Sequence, residues 1–99
     1  MGSSMGSAAF LIQSRMADAQ EGSVDALFDL GITYSTGGEG VDVDLVAAHK
    51  WFNLAALNGC HRGQECRADI ADEMSAREIA EAQKQARAWL AATRTRLAA

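Results

Sequence analysis

Residues Leu30–Ala56, LGITYSTGGEGVDVDLVAAHKWFNLAA, decide how the chain folds. The stretch begins at the end of one apolar helical pattern and breaks at Gly37-Gly38-Glu39-Gly40. It then resumes a second pattern that carries an aromatic pair and an Ala-Ala step. Upstream, the pattern extends to Val24 and places Leu27, Leu30, Gly31 and Tyr34 on one helix face. A glycine inside a helix costs about 1 kcal/mol relative to alanine, so Gly31 predicts close contact with a neighbouring helix. Glycine takes positive φ without steric cost, and the run 37–40 is therefore a stop. Asp44 is the expected cap of the next helix, to about Asn58, with Leu45, Ala48, Trp51, Phe52, Ala55 and Ala56 facing inward.

Working outward, residues 7–20 read as a first helix with a narrow stripe of Ala9, Ile12, Met16 and Ala19. Gly22-Ser23 ends it, and Ser23 is placed to cap the helix from Val24, with Asp25 in its first turn. Beyond Asn58-Gly59 a fourth helix, from about His61 to Met74, carries Gly63, Cys66, Ile70 and Met74 on one side. Ser75-Ala76-Arg77-Glu78 matches a capping box. It opens a last helix striped by Ile79, Ala82, Ala86, Trp89, Leu90, Thr93 and Leu97. Lys84, Arg87, Arg94 and Arg96 gather toward its end, where the helix dipole favours cations. With no proline and few strand-favouring runs, the expected fold is all-α, with about five helices joined by short turns.

Ninety-nine residues at 48% hydrophobic content make one domain. The net charge of −4 argues against a nucleic-acid partner. Seven acids (Asp18, Glu21, Asp25, Asp29, Glu39, Asp42 and Asp44) face Arg15 alone in residues 1–48, while 49–99 hold six acids and eight bases. No run approaches the roughly 20 apolar residues of a membrane span, so no membrane partner is expected. Residues 1–7 are set aside as a disordered N-terminus or a vector-derived scar, and no signal peptide is expected. Two cysteines are too few for a disulfide framework, and a cytoplasmic setting follows.

Several groupings invite a chemical role. The glycines of 37–40 lack the Lys-Ser/Thr step of a phosphate-binding loop, so they read as a turn. Cys60, His61, Glu65 and Cys66 are metal-ligating types. On one helix, however, the two thiols lie about 120° and about 9 Å apart, and zinc would need more ligands, from His49 or elsewhere. No metal and no cofactor are expected, and the thiols read as buried or half-buried and free. Asp69, Asp72 and Glu73 share a face that reads as solvated. His49, without an evident partner, reads as a surface or packing residue.

The order of these residues resembles the SEL-one-like repeat (SLR), a relative of the tetratricopeptide repeats built from helix pairs. The matching positions are Ala26, Leu30-Gly31, Tyr34, Gly37, Gly40-Val41, Asp44, Ala48, Trp51-Phe52, Ala55-Ala56 and Gly59. The turn is one residue longer than the family's Gly-x-Gly, and past Gly59 the pattern decays. MSAREIAEAQKQARAWLA, residues 74–91, is similar to the closing helix of short bacterial members. The resemblance implies a repeat solenoid over 8–99: a leading half-repeat helix at 8–21, a complete repeat at 22–60, and a degenerate repeat with a capping helix at 61–99. It also implies a non-enzymatic adaptor whose groove is lined by the first helix of the pair. The groove residues are then Asp25, Asp29, Ile32, Thr33 and Thr36, with Trp89 as a further partner-facing anchor. That acidic face would prefer a basic protein or peptide. Open solenoid ends allow a homodimer, and self-assembly is the alternative function. A hydrolase or β-lactam-binding role is a further alternative, although no Ser-x-x-Lys step occurs.

Overall fold

A computed structural model describes residues 3–98, with side chains over 9–94. It is all-helical: α1 (Ser3–Gln20), α2 (Val24–Thr36), α3 (Leu45–Leu57), α4 (His61–Ala71) and α5 (Ala76–Ala98), with no strand among the described residues. Of the segment expected to be disordered, Met1 and Gly2 lie outside the described residues. So do the side chains of Arg96 and Leu97.

Local chemistry sets the helix ends. Ser23 Oγ accepts the Ala26 N–H at 3.2 Å, and Asp44 Oδ1 accepts the Ala47 N–H at 3.0 Å. Each satisfies a donor that the first turn leaves unpaired. Ser75 and Glu78 form the reciprocal capping box, at 3.1 and 2.8 Å. Cys60 caps α4 through its thiol, which accepts the Gly63 N–H at 3.3 Å. α4 stops at Ala71 rather than Met74. There Glu73 and Met74 donate to the carbonyls three residues back, Ile70 and Ala71, so the last turn tightens before the capping box begins.

The turn after α2 uses its extra residue in a specific way. Gly37 and Gly40 take positive φ, and Glu39 also does so, at φ 57°. A side chain there is strained. Arg15 of α1 holds it, forming an ion pair with the Glu39 carboxylate and reaching Asp29 of α2 at 3.8 Å. The sole base of the acidic half thus ties α1 to α2 and to the turn.

α3 is the centre of the molecule. α2, α4 and α5 each pack on it, while α1 lies against α2 and the turn. Trp51, Phe52, Leu54, Ala48 and Ala55 are fully buried, and Leu30 enters from α2. Gly31 is the close contact its position predicts: a Cβ built there would fall 2.4 Å from the Phe52 ring. Gly63 likewise lets α4 approach α3: a Cβ built there would fall 3.1 Å from the Ala55 Cβ and from the Phe52 carbonyl oxygen. Phe28 tilts against Phe52 with centroids 5.6 Å apart, and the Arg62 guanidinium lies 4.8 Å over the Phe28 ring. α5 docks through Ala82 and Ala86, with Trp89 edge-on to Trp51 at 4.8 Å.

Candidate interaction surfaces

The stripe expected to line a groove is only partly free. Asp25, Ile32 and Thr36 are exposed on the outer side of α2, Ile32 at 37%. Thr36 spends its hydroxyl on the Ile32 carbonyl at 2.8 Å. Thr33 is not a surface residue: it is 6% exposed, and its hydroxyl donates to the Asp29 carbonyl at 2.9 Å. The reason is that α2 has a second covered side. Asp29 and Thr33, one turn apart, lie toward α1, whose Arg15 engages Asp29. Trp89 is not brought to this stripe. It packs on Trp51 and opens onto a separate cleft.

That cleft, of about 430 Å³, runs between the α1–α2 corner and the second half of α5. Leu27, Leu54, Trp89 and Leu90 form an apolar floor, with Gly22 and Gln20 on one lip and Thr93 and Arg94 on the other. A second cleft, of about 560 Å³, lies at the α2–α3 turn, where Tyr34, Val41, Val43 and Leu45 meet Asp42, Asp44 and Glu78. The Asp44 N–H donates to the Tyr34 carbonyl at 2.8 Å and fixes this loop to α2. The first cleft was not readable from helical spacing, since it is built from the ends of elements that are distant in sequence, and the second joins the α2–α3 turn to Glu78 of α5.

The titratable groups single out one histidine. His49 is 4% exposed, so it is not a surface residue, and its Nδ1 has no hydrogen-bond partner among the described residues. Burial lowers its pKa, and the positive charge of Arg67 adds to the effect. Arg67 itself is held on α4 by a hydrogen bond to Asn53 of α3. Burial also lowers the pKa of Lys50, against the pull of Asp44, while its ammonium lies 4.2 Å over the Trp51 ring. Cys60 and Cys66 are both free and half-buried, and burial followed by the charge of Asp69 pushes the Cys66 thiol up. Among the described residues no three His, Cys, Asp or Glu side chains converge as metal ligands do.

His49 gives a pH dependence with a definite sign. Its folded pKa lies below the unfolded value of about 6.5, so the unfolded chain takes up the proton first as pH falls. Stability from this residue is complete above pH about 6.5 and declines below it, toward the folded pKa. Urea unfolding between pH 8 and pH 5, in roughly unit steps, is expected to show a steeper loss for wild type than for His49→Leu. Parallel curves would mean that His49 protonates equally well in both states.

Among the described residues no helix is long and apolar enough to cross a membrane. Compared with known proteins, the chain matches no family model, no curated protein and no solved structure significantly.

Proposed function

We propose that the chain is a non-enzymatic protein-interaction module of the SEL-one-like repeat kind, a short helical solenoid that holds a basic peptide or partner helix. The observation that carries this is the outer stripe of α2. Asp25, Ile32 and Thr36 stand free on a helix whose inner face, Leu27, Leu30 and Gly31, is locked in the core. A rigid helix offering one apolar contact among polar ones loses little conformational entropy when a partner docks. The repeat reading is supported by the roles of the pattern residues. Ala26, Leu30, Gly31, Ala48, Trp51, Phe52 and Ala55 are buried, Asp44 caps, and Gly37, Gly40 and Gly59 have positive φ. The resemblance to short bacterial members and the two free thiols underlie a bacterial, cytoplasmic setting for this role.

A random-peptide display selection tests the proposal. Enriched peptides are expected to carry Lys or Arg beside an apolar residue. Their binding is expected to fall at least about tenfold in Asp25→Lys and Ile32→Glu, and to weaken as salt is raised. Asp29 is left intact because Arg15 needs it. Enriched peptides without basic residues, or binding indifferent to both substitutions, would refute the α2 face. Turnover of an ester or lactam that a single substitution abolishes would refute the non-enzymatic role.

A further inference from the structure

The cleft between the α1–α2 corner and the second half of α5 is graded in polarity. Leu27 and Leu54, both buried in the core, give it a fixed apolar base, and Trp89 and Leu90 of α5 extend that base. Arg94 follows Leu90 by one turn of the same helix and also lines the hollow. Residues so spaced are neighbours, about 5–6 Å apart on the helix face, so a hydrocarbon surface passes directly into a cation. Arg94 is the one charged side chain lining the cleft. It is exposed, and among the described residues no carboxylate pairs with it. Two other polar side chains of the lining are engaged within the protein. The Asn58 amide donates to the Leu54 carbonyl at 2.8 Å, and the Thr93 hydroxyl donates to the Trp89 carbonyl at 2.9 Å.

We propose that this cleft binds a free medium-chain carboxylic acid, its chain on Trp89 and the leucines and its carboxylate on Arg94. Charge selects this occupant over a cationic one, because the lining holds a guanidinium and no carboxylate. A guanidinium also presents paired donors in the plane that a carboxylate needs. The volume of about 430 Å³ lies at the small end of the range for small-molecule pockets, about 300–1,000 Å³. It suits one short chain rather than a bilayer lipid. Glu21, between the lining residues Gln20 and Gly22, is exposed but does not itself line the cleft. Its charge opposes an anionic membrane at this face. The cleft is open to solvent along one side, so a modest Kd of about 0.1–1 mM is expected for the acid. The site is separate from the α2 stripe, and its failure would leave the proposed peptide binding untouched.

The test is an amide chemical-shift titration of the isotope-labelled full chain with decanoate, octanoate and octanol. Decanoate is expected to bind and to shift the amides of Leu27, Leu54, Trp89 and Leu90. Octanoate, two methylenes shorter, is expected to bind about fivefold to tenfold more weakly. Arg94→Gln is expected to weaken decanoate at least about fivefold while leaving octanol unchanged, which also shows that the hollow is intact in the variant. Arg87→Gln removes an exposed arginine of the same helix that does not line the cleft, and is expected to bind decanoate as wild type does. Absence of decanoate binding below about 5 mM would overturn the proposal. So would equal losses in the two arginine variants, octanol bound as tightly as octanoate, or shifts confined to other surfaces. An acetylated peptide ending in Leu-Leu that binds here more tightly than decanoate would overturn the occupant in favour of a protein tail. Capture by phosphatidylglycerol vesicles without binding of free decanoate would overturn it in favour of a membrane.

Discussion

Gly31→Ala is expected to destabilise the protein by about 2 kcal/mol, against the usual direction for glycine to alanine in a helix. Helix propensity alone would stabilise by about 1 kcal/mol. The opposing effect is overpacking. The new methyl would fall 2.4 Å from one Phe52 ring carbon and 2.9 Å from Cγ, the root of the ring. Cγ cannot swing aside as a flexible tip does, and Phe28 abuts the ring at 5.6 Å. Overpacking of this kind costs about 3 kcal/mol at the upper end of its usual range, and it outweighs the propensity gain. The diagnostic is a double-mutant cycle in urea with Phe52→Ala, which removes the ring together with its Cγ. In that background Gly31→Ala is expected to be neutral or stabilising, so the sign of its effect reverses. Equal destabilisation in both backgrounds would show that Phe52 is not what excludes the methyl.

Trp51→Ala is expected to cost about 3–5 kcal/mol. The total stability of a domain this size is about 5–15 kcal/mol, so the variant sits close to unfolding at room temperature. The indole is 1% exposed at the centre of α3, beneath the Lys50 ammonium and against the edge of Trp89. Truncation leaves a cavity lined by helices that other contacts hold apart, so little of it can collapse. Trp89→Ala is expected to cost less because that ring is half-buried. The two are expected to couple by about 0.5–1.5 kcal/mol, as aromatic pairs in edge contact do. Thermal melts of the two single variants and the double variant measure this. Additive losses would mean that the T-shaped contact contributes no more than its burial.

What was legible in the chain was mainly what is local. Ser23, Asp44 and the Ser75/Glu78 pair announce helix starts because each satisfies a backbone donor within three residues of itself. Gly31 announced a close contact by breaking propensity where nothing local required glycine. The misreadings share one cause, which is that a helical wheel shows one buried face at a time. Thr33 read as groove-facing, but it is buried, although Asp29 one turn earlier stays exposed. The lone base of the acidic half, Arg15, was the available signal, since two acids of α2 and its turn were there to receive it. Of the two readings of His49, surface or packing, the structure has the packing one, because α3 is enclosed by three helices rather than resting on one. Met74 continued the spacing of α4, yet the helix ended three residues earlier, at Ala71, in a tightened turn that leads into the capping box. The first cleft had no periodic signature because Gly22, Asn58 and Arg94 come together only after the helices pack.

The enclosure of α3 also orders how the native state opens. α1 rests mainly on α2 and the turn, and α4 is fastened by a glycine contact and two long cationic side chains. Either can lift away while the remaining helices stay packed. α3 has no such route, because releasing it means removing α2, α4 and α5 from its sides. Its amide protons would then trade with deuterium only when the whole chain unfolds, and those of α1 and α4 through cheaper partial openings. The helix bearing the Trp-Phe pair is therefore the protein's slowest clock.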